Sequence, residues 1–196
     1  MSKPKDEPLP VEFDELLAAE YDYIAQTAAQ ATEDRARVSS FYLIAVGSLV
    51  AAMFGTQFLG MQSLPRAVDL MFSGLFLLLT LLGTSTIMQL SRLRAAWYEA
   101  MLAMNQLKDY MIDENKTLAK AFRWQNKTLP PKYKTSSVSY YQAREVAFIS
   151  GLMLGAALFF LFNAFFKLGW LHWIALILIG GLTMYFQLNL YKRILQ

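Results

Sequence analysis

Three hydroxyl side chains, Ser73, Thr80 and Thr84, recur at helical spacing inside an uncharged stretch. A helix there carries them along one face, with Leu77 between them. Water or ions moving along such a face would meet an oxygen at successive depths, which is the chemistry of a hydrated pore in an oligomer. The same hydroxyls can instead bond their own backbone or pack small against a neighbouring helix. A second set is basic: Arg35, Arg37, Arg92 and Arg94 border the first two uncharged stretches, and Arg123, Lys132 and Lys134 interleave with Phe122, Trp124 and Tyr133 further on. These cations can hold anionic headgroups, each contributing about 1 kcal/mol beside a charged leaflet. Orientation and anchoring of the chain would need the same residues.

Other chemistry is closed by composition. No cysteine is present, which removes disulfides, thiolate metal sites and thiol nucleophiles, and the single histidine, His172, lies between Trp170 and Trp173, where an interfacial role fits better than ligation. Aspartate, glutamate, lysine, arginine and histidine are missing from the middle of every long apolar stretch. That argues against proton relays, ion-coupled transport and membrane catalysis, so no enzymatic activity and no cofactor is expected. The isoelectric point near 9.0 suggests nucleic acid, but the basic excess follows from membrane orientation, and no nucleic-acid partner is expected.

The elements that position these groups are apolar spans. The chain has 196 residues, 56% hydrophobic and 17% charged, against about 45 to 50% and 25% for a soluble domain. Its uncharged stretches are Val38–Pro65, Leu70–Ser91, Val146–Phe166 and Leu168–Tyr191. About 20 residues of helix cross a 30 Å hydrocarbon core, and period-two alternation is lacking. We therefore predict transmembrane helices at 39–59, 70–91, 146–166 and 168–191, in an all-α polytopic membrane protein. Sixteen of the 18 lysines and arginines fall in the N-terminal arm, the segment between spans two and three, and the tail 192–196, leaving Arg66 and Lys167 in the two short loops. This bias places both termini in the cytoplasm of a multi-pass protein of the inner cell membrane. Acids and prolines in MSKPKDEPLP leave no room for a cleavable signal, so residues 1–11 are expected to be a retained, disordered arm.

The predicted cytoplasmic part is helical and coiled-coil-like. Residues 12–38 carry the seam Leu17, Tyr21, Ile24, Ala28, Ala31, and residues 92–125 carry Leu93, Trp97, Ala100, Met104, Leu107, Met111. Steps of three and four mark both as helical stripes. Joined through adjacent spans, the two run antiparallel, pairing Ala28 with Ala100, Ile24 with Met104 and Tyr21 with Leu107. Pairing with another subunit satisfies the same periodicity. Residues 1–37 are net −5 and residues 92–144 net +6, so the two attract. A short helix capped by Thr117 is expected after Met111, then a basic return loop over 126–144 containing Pro130 and Pro131.

Small residues recur at one-turn spacing, Gly151 and Gly155 in span three and Gly47, Ala51 and Gly55 in span one, a pattern that lets helices approach closely. Asn163, Gln187 and Asn189 are expected to bond between helices.

The arm ending in TEDRARVSSFYL, followed by two closely spaced spans and a long helix, resembles the SLATT-type two-span membrane effector modules of bacterial conflict and nucleotide-signalling systems, over residues 12–125. The whole chain resembles a group of uncharacterised bacterial four-span membrane proteins. The first resemblance implies a pore-forming or membrane-disrupting effector. Two functions remain open. One is a non-enzymatic protein that self-associates and docks or senses a cytoplasmic partner or regulator through its helical hairpin. The other is an oligomeric pore or channel, lined by span two and gated by those helices. The expected partners are a bilayer with anionic headgroups and further copies of the chain.

Overall fold

The computed structural model describes residues 13–57, 66–166 and 169–196. The expected disordered arm at 1–11 and the end of predicted span one lie outside them. Every helix long and apolar enough to cross a membrane coincides with a predicted span, four in all among the described residues.

Helix α1 runs Phe13–Gln57 without a break, and α2 runs Arg66–Glu114. No proline interrupts either, so the hydrogen-bond ladder continues past the point where the apolar stretch ends. The 49 residues of α2 are more than twice the number, about 20, that a hydrocarbon core requires. Helices α3 (Val138–Asn163) and α4 (Trp170–Leu195) are close to the length a span requires.

Three expectations are corrected. The helical extension stops at Glu114, short of residue 125, and is followed by two single-turn 3-10 segments, Lys116–Lys120 and Asn126–Thr128. The cap of the first is Asn115, whose side-chain oxygen accepts from the Thr117 backbone N–H at 3.1 Å and from its hydroxyl at 2.6 Å. Asparagine reaches back over a turn that threonine itself belongs to. The return loop is also shorter than 126–144, because α3 starts at Val138 with Ser137 as its cap, accepting from Tyr140 N at 3.2 Å. Reading the span from the last charge, Glu145, missed the first two turns, which continue beyond the apolar segment.

The chain divides into two compact units, Met1–Gln30 with Trp97–Leu129, and Ala31–Ala96 with Pro130–Gln196. In the first, Ile24, Ala28, Ala100 and Met104 form one buried cluster, with Tyr21, Trp97 and Leu107 packed on it. Ala28 and Ala100 lie in this cluster with the larger Ile24 and Met104, a mixture of small and large side chains that fills a seam without overlap. In the second, residues of all four helices share one core, including Tyr42, Phe72, Phe76, Ile87, Val146, Phe160 and Tyr191. Its outer surface is the reverse of a soluble protein's. Leu77, Leu78 and Leu81 of α2, Phe41 and Ile44 of α1, and Ile177 and Phe186 of α4 are exposed, while Ser73, Thr80, Ser150 and Gln187 are buried. Apolar outside with polar groups turned inward is the arrangement a hydrocarbon solvent selects.

Candidate functional site

The hydroxyl stripe of α2 faces the interior of the second unit. Ser73 and Thr80 are buried; the Thr80 hydroxyl donates to Phe76 O at 3.0 Å and that of Thr84 to Thr80 O at 3.1 Å. Ser150 of α3 donates to Thr80 O at 3.2 Å, and the Gln187 amide of α4 donates to Thr84 Oγ1 at 2.9 Å and to Ser150 Oγ at 2.8 Å. Three helices thus meet at one polar node. Gly83 lets them close on it: a Cβ there would stand 2.6 Å from Ser150 Oγ and 2.9 Å from the Tyr42 hydroxyl of α1. Gln187 Oε1 is buried without a hydrogen-bond partner.

A second node lies nearer the other end. Asp69, one residue before predicted span two, stands in the first turn of α2, where the helix dipole favours a carboxylate. It is 3% exposed, and Asn163 of α3 donates to its Oδ2 at 3.0 Å, while Oδ1 has no partner. Phe160 packs on Phe72 and Phe76 with ring centroids 5.4 and 5.7 Å apart. This aromatic layer lies between the two nodes along α2. Asn163 and Gln187 act as interhelical bonds, in keeping with the expectation.

Close helix approach occurs at Gly151, where a Cβ would fall 2.5 Å from Gly180 O of α4. Gly155 is looser, with Leu176 O at 3.7 Å, and nothing lies within 4 Å of a Cβ at Gly47 or Gly55. Ala51 is exposed as well. Among the described residues nothing therefore packs closely on the glycines of the small face of α1. Sequence spacing did not single out Gly180, whose partner lies on another helix. Gly151, Gly155 and Gly180 also floor an apolar groove of about 480 Å³ walled by Phe159 and Trp173.

The arginines sort into two kinds. Arg37 and Arg92 are exposed, and Arg37 pairs with Asp34 at 3.3 Å. Arg35 and Arg94 are 8% and 6% exposed. Arg94 Nε donates to Lys132 O at 3.3 Å, which ties the return segment to α2. Arg35 Nη2 donates to Thr32 Oγ1 at 3.3 Å, its Nε is buried without a partner, and burial pulls its guanidinium below the ordinary range. Both act electrostatically on the Tyr191 hydroxyl, which lies 2.9 Å from Ser139 Oγ. Tyr133 and Tyr140 pack beside Tyr191, with centroids 6.5 and 6.2 Å away, and Lys192 Nζ lies 5.9 Å from the Tyr133 ring. Burial and the neighbouring Tyr140 raise the Tyr133 phenol above its usual value, so it stays a neutral hydroxyl. The burial of two of the four arginines was not legible in the sequence. Arg123 and Lys134 are exposed, and Lys132 is half-buried.

In the first unit Leu17, Ile24, Leu107 and Tyr110 line an open groove of about 420 Å³. Leu93 and Met111 are half-buried and Ala31 is buried. His172 accepts from Gly169 N at 3.1 Å through Nδ1, closing the turn that starts α4. Among the described residues no group of three His, Cys, Asp or Glu side chains is placed to hold a metal ion.

No protein-family model, curated protein or solved structure matches the chain.

Proposed function

We propose that the chain is a non-enzymatic protein of the inner cell membrane that self-associates and uses a cytoplasmic helical hairpin to dock or sense a protein partner. The observation that carries this reading is the compact unit containing Ile24, Ala28, Ala100 and Met104, a core separate from that of the apolar spans. Crossing the bilayer needs about 20 residues. The further turns of α1 and α2 order many side chains at an entropic cost, and presenting a surface is the return on it. The groove lined by Leu17, Ile24, Leu107 and Tyr110 suits the apolar face of a partner helix. Self-association is supported by the small face of Gly47, Ala51 and Gly55, on whose glycines nothing packs closely among the described residues. The bonding of Thr80 and Thr84 inside the chain favours docking over a pore lined by span two.

Orientation follows from the basic residues. With no native cysteine to give background, Ser63→Cys, between predicted spans one and two, should react with a membrane-impermeant thiol reagent on intact cells, and Ser136→Cys should not. Labelling of Ser136→Cys alone would reverse the topology.

The hairpin is tested by crosslinking. Cysteines at Ala28 and Ala100 should join through a short bifunctional reagent, whereas Ala28 with Tyr110 should not, because ten residues of helix displace the partner by about 15 Å. Crosslinks found only between chains would mean that the seams drive assembly and are not available for docking.

A further inference from the structure

We propose that Arg35 and Arg94, with the tyrosines beside them, form a binding site for one phosphate group at the basic end of the spans. The inference rests on the membrane reading and is independent of partner docking. Four arginines border spans one and two, and an anchoring role alone would leave all of them in contact with water or headgroups. Two are instead buried. Among the described residues no carboxylate stands within ion-pair distance of Arg35, and its Nε is a buried donor with nothing to donate to. A buried cation without a counter-charge is among the least favourable groups a fold can hold, and an anion is its natural complement.

The surroundings select the anion. Arg94 is tied to the Lys132 carbonyl, the neighbouring Tyr133 ring packs on Tyr191, and both Arg94 and Arg35 act electrostatically on the Tyr191 hydroxyl. A guanidinium presents N–H donors in a planar fork that matches phosphate oxygens, and two forks offset the charge of a phosphate ester. Ser139 and Tyr191 form one hydrogen bond at 2.9 Å in which either hydroxyl can donate, so the accepting one keeps a proton of its own to donate. The rings of Tyr133 and Tyr140 and the Lys192 ammonium complete an aromatic wall with a cationic rim. Arg94 also holds the Lys132 carbonyl, so occupation would fix the segment that leads into α3. A lipid headgroup at this end and a soluble phosphate share the recognised chemistry.

The test uses the purified full chain in non-ionic detergent. Thermal unfolding is followed while phosphatidylglycerol, diacylglycerol with the same acyl chains, or inorganic phosphate is added. Phosphatidylglycerol should raise the midpoint and diacylglycerol should not. The half-saturating concentration should rise about tenfold or more in Arg35→Gln and in Arg94→Gln, as expected when a charge-assisted hydrogen bond is lost. It should change less than about twofold in the double variant Arg37→Gln/Arg92→Gln, whose cations are exposed. Should Arg35→Gln fail to fold, Arg35→Lys keeps the charge and loses the fork, and should bind several-fold more weakly. Saturation by phosphatidylglycerol but not inorganic phosphate assigns a lipid; the reverse assigns a soluble phosphate, and the site stands in both cases. An equal shift with diacylglycerol, no shift with either phosphate source, or equal weakening in the Arg37/Arg92 variant overturns the proposal. No partner protein is present, so failure of docking would leave this result untouched.

Discussion

Gly151→Ala should separate α3 from α4 and destabilise the four-helix unit by about 3 kcal/mol, the upper part of the range for an overpacked interior. The added carbon would stand 2.5 Å from the Gly180 carbonyl oxygen and 3.2 Å from its carbon. Both are backbone atoms of a helix and cannot rotate away. The contact is also reciprocal, since a Cβ at Gly180 would lie 2.9 Å from Gly151 O. Unfolding by a denaturing detergent, followed by far-ultraviolet circular dichroism, measures the loss. Gly155→Ala provides the contrast, because its nearest neighbour is Leu176 O at an ordinary 3.7 Å. Gly47→Ala and Gly55→Ala meet nothing within 4 Å and should change unfolding by less than about 1 kcal/mol, the helix-propensity difference between glycine and alanine. If those two variants lower oligomer mass while leaving unfolding unchanged, the small face of α1 is where copies meet. Normal stability of Gly151→Ala would mean that α3 and α4 pack further apart.

Asn163→Leu should cost about 1 to 3 kcal/mol, because it leaves a buried carboxyl oxygen without its hydrogen-bond partner. The amide is the one hydrogen-bond donor to the Asp69 carboxyl group among the described residues, at 3.0 Å. Asp69 is 3% exposed and its other oxygen already lacks a partner. Asp69→Leu combined with Asn163→Leu should recover most of the loss, because an apolar pair needs no partner while a half-broken polar pair does. A double-mutant cycle of detergent unfolding isolates the coupling, expected at about 1 kcal/mol or more. Full stability of Asn163→Leu alone would show that water reaches the carboxyl group and that this end of the bundle is open.

The polar node of Thr80, Thr84, Ser150 and Gln187 contrasts with these two contacts. Thr80 and Thr84 donate to carbonyls of their own helix, Ser150 and Gln187 donate to oxygens of neighbouring helices, and Gln187 Oε1 remains unpartnered. Interhelical hydrogen bonds of this type average only about 0.6 kcal/mol in membrane proteins, because the separated helices also find partners. The node therefore specifies which faces of α2, α3 and α4 meet more than how strongly they hold. The steric contacts of Gly151 with Gly180 and of Gly83 with Ser150 set how closely the helices approach.

Much of this architecture was legible in the residues alone. Four charge-free stretches mark the four long apolar helices, since a charge is excluded from hydrocarbon wherever its span lies. Steps of three and four picked out Ile24, Ala28, Ala100 and Met104 as apolar stripes, because a helix returns a residue to the same face after about one turn. The paired glycines at 151 and 155 announced a close contact without naming its partner. Helix ends were less legible. Hydropathy reports where a helix leaves apolar surroundings, whereas its end is set by local caps, Ser137 for α3 and Asn115 for the short turn beyond α2. What only the tertiary structure decided is the fate of each polar group near a span. Arg35 and Arg37 are two residues apart and identical in type, yet one is buried beside Tyr191 and the other is paired with Asp34 in solvent. Asp69 lies one residue before predicted span two, and only the fold brings Asn163, 94 positions later, against it. Periodicity assigns a residue to a face of its own helix, but which faces become interior depends on how four helices pack together. That packing depends on contacts between residues far apart in the chain, such as Gly151 with Gly180 and Ser150 with Thr80, and local spacing carries no record of them.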